Sequence, residues 1–91
     1  MVYEWDSGKA AGNLQKHRVS FTEAATVFLD PLALTYLDPD HSEGEQRYIT
    51  IGESTGGRVI LVAHLDQGDR VRIISARRAT RKERYEYRET S

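Results

Sequence analysis

Gly57-Arg58-Val59-Ile60-Leu61-Val62-Ala63-His64-Leu65-Asp66-Gln67-Gly68-Asp69-Arg70-Val71-Arg72-Ile73-Ile74-Ser75-Ala76 is the stretch on which the fold turns. Residues 58–65 and 70–76 are rich in β-branched and apolar side chains, and the segment between them carries turn chemistry, so the pair reads as an antiparallel hairpin. A three-residue loop over residues 66–68, with Gly68 left-handed, sets Leu65 opposite Asp69. One face of the hairpin then holds Val59, Leu61, Ala63, Leu65, Val71 and Ile73. The other gathers Arg58, Ile60, Val62, His64, Arg70, Arg72 and Ile74. A two-residue loop would place Gln67 at positive φ and mix Arg70 and Arg72 into the core set, so the longer loop is preferred.

Outward from the hairpin, the elements order themselves. Thr80 and Glu83 form a capping box that opens a helix through about residue 89. On the N-terminal side, residues 47–53 read as a strand with Ile49 and Ile51 on one face and Tyr48 and Thr50 on the other. Residues 32–37 read as another, and the acidic segment 38–45 between them is a loop. Ser20 with Glu23 makes a second capping box, Val19 is available as its hydrophobic staple, and Asp30-Pro31 stops the helix. Asp6 or Ser7 caps an earlier helix over residues 8–17, and Val2 to Trp5 form a short strand. The expectation is a single α+β domain over residues 1–91. Two N-terminal helices pack on one face of a four-stranded antiparallel meander, with a closing helix on the opposite side.

Charge divides the chain. Residues 70–91 hold eight of the thirteen Lys+Arg against three of the fourteen Asp+Glu, a local +5. Residues 1–69 hold five basic and eleven acidic side chains, a local −6, so the formal −1 conceals a dipole. A polyanion, RNA before others, is the expected partner of the basic end. No apolar run approaches the roughly 20 residues of a membrane helix. The N-terminal residues lack the regions of a signal peptide, so a cytoplasmic, bacterial-type protein is expected. With no cysteine there is no disulfide, thiolate nucleophile or Cys-based zinc site.

RNA cleavage without a metal needs a base for the 2′-hydroxyl, cations at the phosphate and an acid for the leaving oxygen. The expected catalytic group is Arg58, His64, Arg72 and Arg77: arginine pairs with phosphate oxygens, and histidine titrates near neutrality. Tyr48, Arg70, Lys82 and Arg84 are the expected RNA contacts. Basic side chains at 81, 82, 84 and 88 alternate with Tyr85 and Tyr87 around the last helix, a pattern that grips single strands by charge and stacking. The plainer alternative is that the arginines solvate a sheet edge, that His64 is a half-buried strand residue, and that Tyr85 is core. Asp38, Asp40, His41, Glu43 and Glu45 have metal-ligand chemistry but lack calcium-loop spacing, so no metal and no cofactor is expected. Trp5 and Phe28 are expected apolar anchors for a protein partner.

The N-terminal pattern Glu4-Trp5-Asp6, Lys9-Ala10, Asn13, Lys16-His17, Val19-Ser20-Phe21, Glu23-Ala24, Val27-Phe28 and Asp30-Pro31 is followed by residues 38–47, Ile51-Gly52 and the block 68–84. Together these closely resemble the BrnT family, toxins of type II toxin–antitoxin pairs. The resemblance implies a RelE-like ribonuclease fold, inhibition of translation by RNA cleavage, and neutralisation by a BrnA-type antitoxin. That partner would carry a ribbon-helix-helix domain, through which alone the complex would reach operator DNA. The family's basic residues map onto Arg58, Arg72, Arg77 and Arg84. One departure is Arg18, where the family usually has glycine, which implies a different helix-end conformation. The alternative function is a non-catalytic module that holds an antitoxin and acts in operon autoregulation.

Overall fold

The computed structural model describes residues 1–41 and 46–90, with the backbone alone at His41. In chain order the elements are β1 (Val2–Glu4), α1 (Ser7–His17), α2 (Phe21–Thr26), a 3₁₀ turn (Val27–Leu29), β2 (Leu34–Leu37), a 3₁₀ turn (Pro39–His41), β3 (Arg47–Glu53), β4 (Val59–Gln67), β5 (Arg70–Arg78) and α3 (Arg81–Thr90). The strands lie in the order β1-β5-β4-β3-β2. The α+β class and the β2–β5 meander agree with the sequence, but the sheet is mixed and has five strands, not four antiparallel ones. β1 joins the edge of β5 in parallel, with Val2 opposite Arg70 and Glu4 opposite Arg72. Its brief alternation suffices, because Tyr3 stacks on Phe28 at 5.3 Å. Glu4, on the other face, reaches Arg70 at 3.5 Å.

The helix ends follow the capping chemistry in the sequence. Asp6 accepts from the Lys9 amide at 2.9 Å and opens α1. Ser20 accepts from the Glu23 amide at 3.0 Å and opens α2. Here, however, only half of the expected capping box forms, because the Glu23 carboxylate turns away to Arg58 and Ser54. The box at α3 is complete, with Thr80 Oγ1 accepting from Glu83 N and Glu83 Oε1 accepting from Thr80 N. Arg18 ends α1 at φ 60°, ψ 31°, the left-handed conformation that glycine adopts most readily. A bulky residue is thus held in a glycine-like geometry.

The β4–β5 hairpin departs from the expected register. Its loop is the two residues Gly68-Asp69, with Gln67 opposite Arg70 and Leu65 opposite Arg72. The expected Leu65–Asp69 pairing assigned the single glycine to the last position of a longer loop. In the structure Gly68 takes the first central position at φ +71°, which a two-residue turn tolerates without strain at Gln67. A bulge between Ala63 and His64 then shifts the pairing by one, so Ala63 faces Ser75. The faces exchange accordingly. Ile60, Val62 and His64 share the helix-covered face with Val71, Ile73 and Ala76, and none is open to solvent. Arg72 and Arg77 lie on the opposite face, across from Leu65 and Leu61.

Two clusters fill these faces. Val19, Phe21, Ala24 and Val27 from the helical side close over Ile60, Val62, Val71 and Ile73. On the other side Ala79 and Tyr87 cover Ile51, Val59 and Leu61. Asp30 ties the two layers together: it accepts from Glu53 N at 2.8 Å and from the Tyr87 hydroxyl. Close approach there requires Gly52, where a Cβ would lie 2.9 Å from Val27. Beyond Arg72 the β5 edge has no strand partner, and the buried side chain of Asn13 takes that place. It donates to Ala76 O at 2.8 Å and accepts from Ala76 N at 3.0 Å.

Candidate functional site

Strands β4 and β5 end together: Ile60 stands opposite Arg78, the last residue of β5. The Ala79 amide donates to Val59 O at 2.9 Å, so the chain is pinned where it turns back into α3. Arg84 and Arg88, four residues apart on α3, then project from one side of the helix. The result is a concavity of about 190 Å³ lined by Gly57, Arg58, Val59, Arg78, Arg84 and Arg88. Four arginines line it, and among the described residues no carboxylate does. Such an arrangement offers donors of the fork geometry that phosphate oxygens accept, in a recess that concentrates their field.

Arg58 is the most constrained of the four. Its Nε donates to Glu23 Oε2 at 3.0 Å, and its Nη2 donates to both Glu23 Oε1 and the Arg18 carbonyl. Ser54, itself buried, donates its hydroxyl to Glu23 Oε2 at 2.7 Å. The Arg58 hydrogen bonds hold the Glu23 carboxyl below the usual carboxylate range, against the opposing effect of burial. Arg84 is steadied differently, donating from Nη1 to the Ala79 carbonyl at 3.0 Å.

Of the expected catalytic group, only Arg58 lines this recess, and of the expected RNA contacts only Arg84. His64 is the clearest correction. It is 1 % exposed and faces the helices rather than the arginines. Burial lowers its pKa, with Asp66 opposing the shift. The neutral ring donates from Nδ1 to Asp66 at 2.7 Å, which leaves Nε2 to accept from the Thr50 hydroxyl, also at 2.7 Å. Phe28 closes edge-on over it at 4.9 Å, and Tyr48 stacks beside it at 6.0 Å. Tyr48 and Phe28 are thus largely committed to this interior group.

The remaining arginines sit elsewhere. Arg77 is bound through both terminal nitrogens by Glu83, at 2.8 and 2.9 Å. That pairing draws the Glu83 carboxyl down to about 2. Arg70 and Arg72 face Glu4 at 3.5 and 3.9 Å on the outer edge. Lys82 is exposed in the first turn of α3. Trp5 packs edge-on against Phe21 at 6.0 Å and lines a shallow apolar groove with Ala10, Ala11 and Leu14. The sequence reading does not single out Arg78, and it treats Arg88 only as part of a basic helix. The four-residue spacing of Arg84 and Arg88 was the available signal. Of the acidic metal-like group, Glu43, Glu45 and the His41 side chain lie outside the described residues. Among the described residues no three His, Asp or Glu side chains cluster to hold a metal, and no helix is long and apolar enough to cross a membrane.

Comparison with known proteins gives this geometry a context. The crystal structure of the Brucella abortus ribonuclease toxin BrnT, at 1.1 Å resolution, is similar at a TM-score of 0.66 and 26% sequence identity. The match covers 89% of this chain and 100% of that one. No curated protein matches the sequence. The family described as the ribonuclease toxin, BrnT, of type II toxin–antitoxin systems matches residues 5–83. An arginine-lined recess on a fold similar to a ribonuclease toxin, and a family match over most of the chain, lead to one assignment: the chain belongs to the BrnT family of ribonuclease toxins of type II toxin–antitoxin systems.

Proposed function

We propose that this chain is an active, metal-independent endoribonuclease whose scissile phosphate sits in the recess of Arg58, Arg78, Arg84 and Arg88. The observation that carries this reading is the convergence of four arginines, from two strand ends and one helix, on one recess that among the described residues no carboxylate lines. In metal-free cleavage the 2′-oxygen attacks the adjacent phosphorus and the 5′-oxygen leaves, giving a 2′,3′-cyclic phosphate and a 5′-hydroxyl. Negative charge builds on the phosphorane oxygens in between, and fixed guanidinium donors stabilise that charge more than the ground state. Arg72 and Arg77, which do not line the recess, extend the basic surface rather than hold the reacting group. Translation falls because messages are cut.

A type II toxin implies an antitoxin partner, here of BrnA type with a ribbon-helix-helix domain that would carry the pair to operator DNA. An acidic segment of that partner suits the basic surface over residues 58–88. The groove at Trp5 suits one of its apolar side chains, whereas Phe28 is already occupied by Tyr3 and His64. The rival reading, a module that holds an antitoxin without cutting RNA, draws on the enclosure of His64, which takes the expected proton shuttle away from the recess.

Inducible expression separates the two. The unaltered chain should fragment RNA and arrest growth, and co-expression of the neighbouring antitoxin frame should suppress both. Arg84→Ala should relieve the arrest, with a loss on the order of 2–4 kcal/mol of transition-state stabilisation, while the thermal midpoint changes little. Intact RNA on induction of the unaltered, folded chain would favour the binding module instead.

A further inference from the structure

The reading of the recess as a phosphate site leaves Glu23 unexplained. A carboxylate paired with one of the four arginines weakens the field that attracts RNA, so its presence there needs a reason. Its contacts supply one. Glu23 holds Arg58 through Nε and Nη2, and the left-handed Arg18 turns its carbonyl onto the same Nη2. Ser54 fixes the carboxylate from behind, and its Oγ also lies 3.2 Å from Gly56 N and 3.4 Å from Arg58 N. The Ser54 amide in turn donates to the Arg58 carbonyl at 2.8 Å. Backbone and side chain of Arg58 are thereby fixed by one connected group. Among the described residues Nη1 alone of its guanidinium nitrogens has no protein partner, and Arg58 lines the recess.

We infer that Glu23 and Ser54, with the Arg18 carbonyl, are positioning groups that aim the free edge of Arg58 at the reacting phosphate. The strained helix end at Arg18 belongs to the same device: positive φ in a non-glycine residue is retained where the surroundings over-determine it. Pre-organisation of this kind acts on the transition state, because an arginine already in place needs no reordering as charge develops. Arg58 is the catalytic residue in this scheme, and Glu23 and Ser54 act through it.

Charge and positioning predict opposite signs, which makes the inference testable. Glu23→Gln removes a negative charge beside the recess, so on electrostatics alone RNA should bind as well or better. Loss of aim should instead appear in turnover. The measurements are kcat and KM for a single-stranded RNA oligonucleotide, Kd for its uncleavable 2′-O-methyl analogue, and the thermal midpoint. Glu23→Gln should keep Kd at or below the unaltered value while kcat falls at least tenfold. Ser54→Ala, which changes no charge, should lower kcat about threefold at constant Kd. The brace is refuted if Glu23→Gln keeps full kcat. It is equally refuted if kcat and binding fall together in proportion to the unfolded fraction. Arg84→Ala separates this from the parent reading: activity lost there but retained in Glu23→Gln removes only the brace. If Arg58→Ala and Arg84→Ala both cut RNA normally, or the unaltered chain cuts none, the recess is not the catalytic site and the brace falls with it.

Discussion

At the scale of single residues, His64 shows how strongly position overrides chemistry. The same imidazole that suits proton transfer in water is here a neutral core group, satisfied by Asp66 on one side and Thr50 on the other. Its folded pKa is depressed, chiefly by burial, from the ordinary 6.5. The stability it contributes is therefore present above the unfolded value and lost as pH falls through the lower folded value, since the unfolded ring takes up a proton first. His64→Gln should lower the thermal midpoint at neutral pH, at a cost of about 2–4 kcal/mol for lost packing and imperfect polar pairing. It should also flatten the decline in midpoint as pH falls below the ordinary 6.5 of the unfolded ring. A variant that melts like the unaltered chain but loses RNA cleavage would place His64 back in the chemistry. The sequence could not show which of these fates it meets: alternation along β4 says that His64 shares a face with Ile60 and Val62, not which face the helices cover.

At the scale of elements, the caps were legible and the register was not. Ser20 and Thr80 cap helices because a hydroxyl three residues before a free amide is a local arrangement, written in four consecutive residues. Strand pairing is non-local, and one residue of slip exchanges every side chain between faces. The turn was expected over residues 66–68 but lies at Gly68-Asp69, so Leu65 meets Arg72 instead of Asp69. That odd slip exchanges the faces as a one-residue slip would, and the bulge beside His64 added a further shift that no local pattern signals. This is why Arg72 was assigned to the same face as His64, while the α+β class, which does not depend on register, was right. β1 was faint for a related reason: three residues carry little alternation, and its pairing with β5 is made at long range. Asn13 depends on the same long-range closure, since it completes the β5 edge that β1 leaves uncovered. Asn13→Ala should strand a buried amide and carbonyl at Ala76, costing about 2–4 kcal/mol. Hydrogen exchange should report it most clearly at Ala76, and an unchanged midpoint would mean that water replaces the side chain without loss.

At the scale of the whole molecule, the separation of charge is written in the sequence, but the grouping of its arginines is not. The sequence shows a basic C-terminal third; only the fold shows that carboxylates divide it. Glu4 faces Arg70 and Arg72, Glu83 binds Arg77, Glu23 holds Arg58 from outside the recess, and Arg58, Arg78, Arg84 and Arg88 line it together. Single-stranded RNA bound there should release counterions in proportion to the phosphates neutralised, with a slope of log K against log salt of about −0.7 per contact. Four contacts predict a total slope of about −3 for the uncleavable analogue. The double variant Arg84→Ala with Arg88→Ala should reduce its magnitude by about 1.4, two contacts' worth. Arg70→Ala with Arg72→Ala removes the same charge from the outer edge. If RNA follows the whole basic surface, both pairs should flatten the slope equally; if the recess holds it, the edge pair should leave the slope nearly unchanged. Titrations of the three chains over the same salt range therefore distinguish a focused phosphate site from a diffuse one. An undiminished slope in the Arg84 and Arg88 variant would move RNA away from the recess altogether.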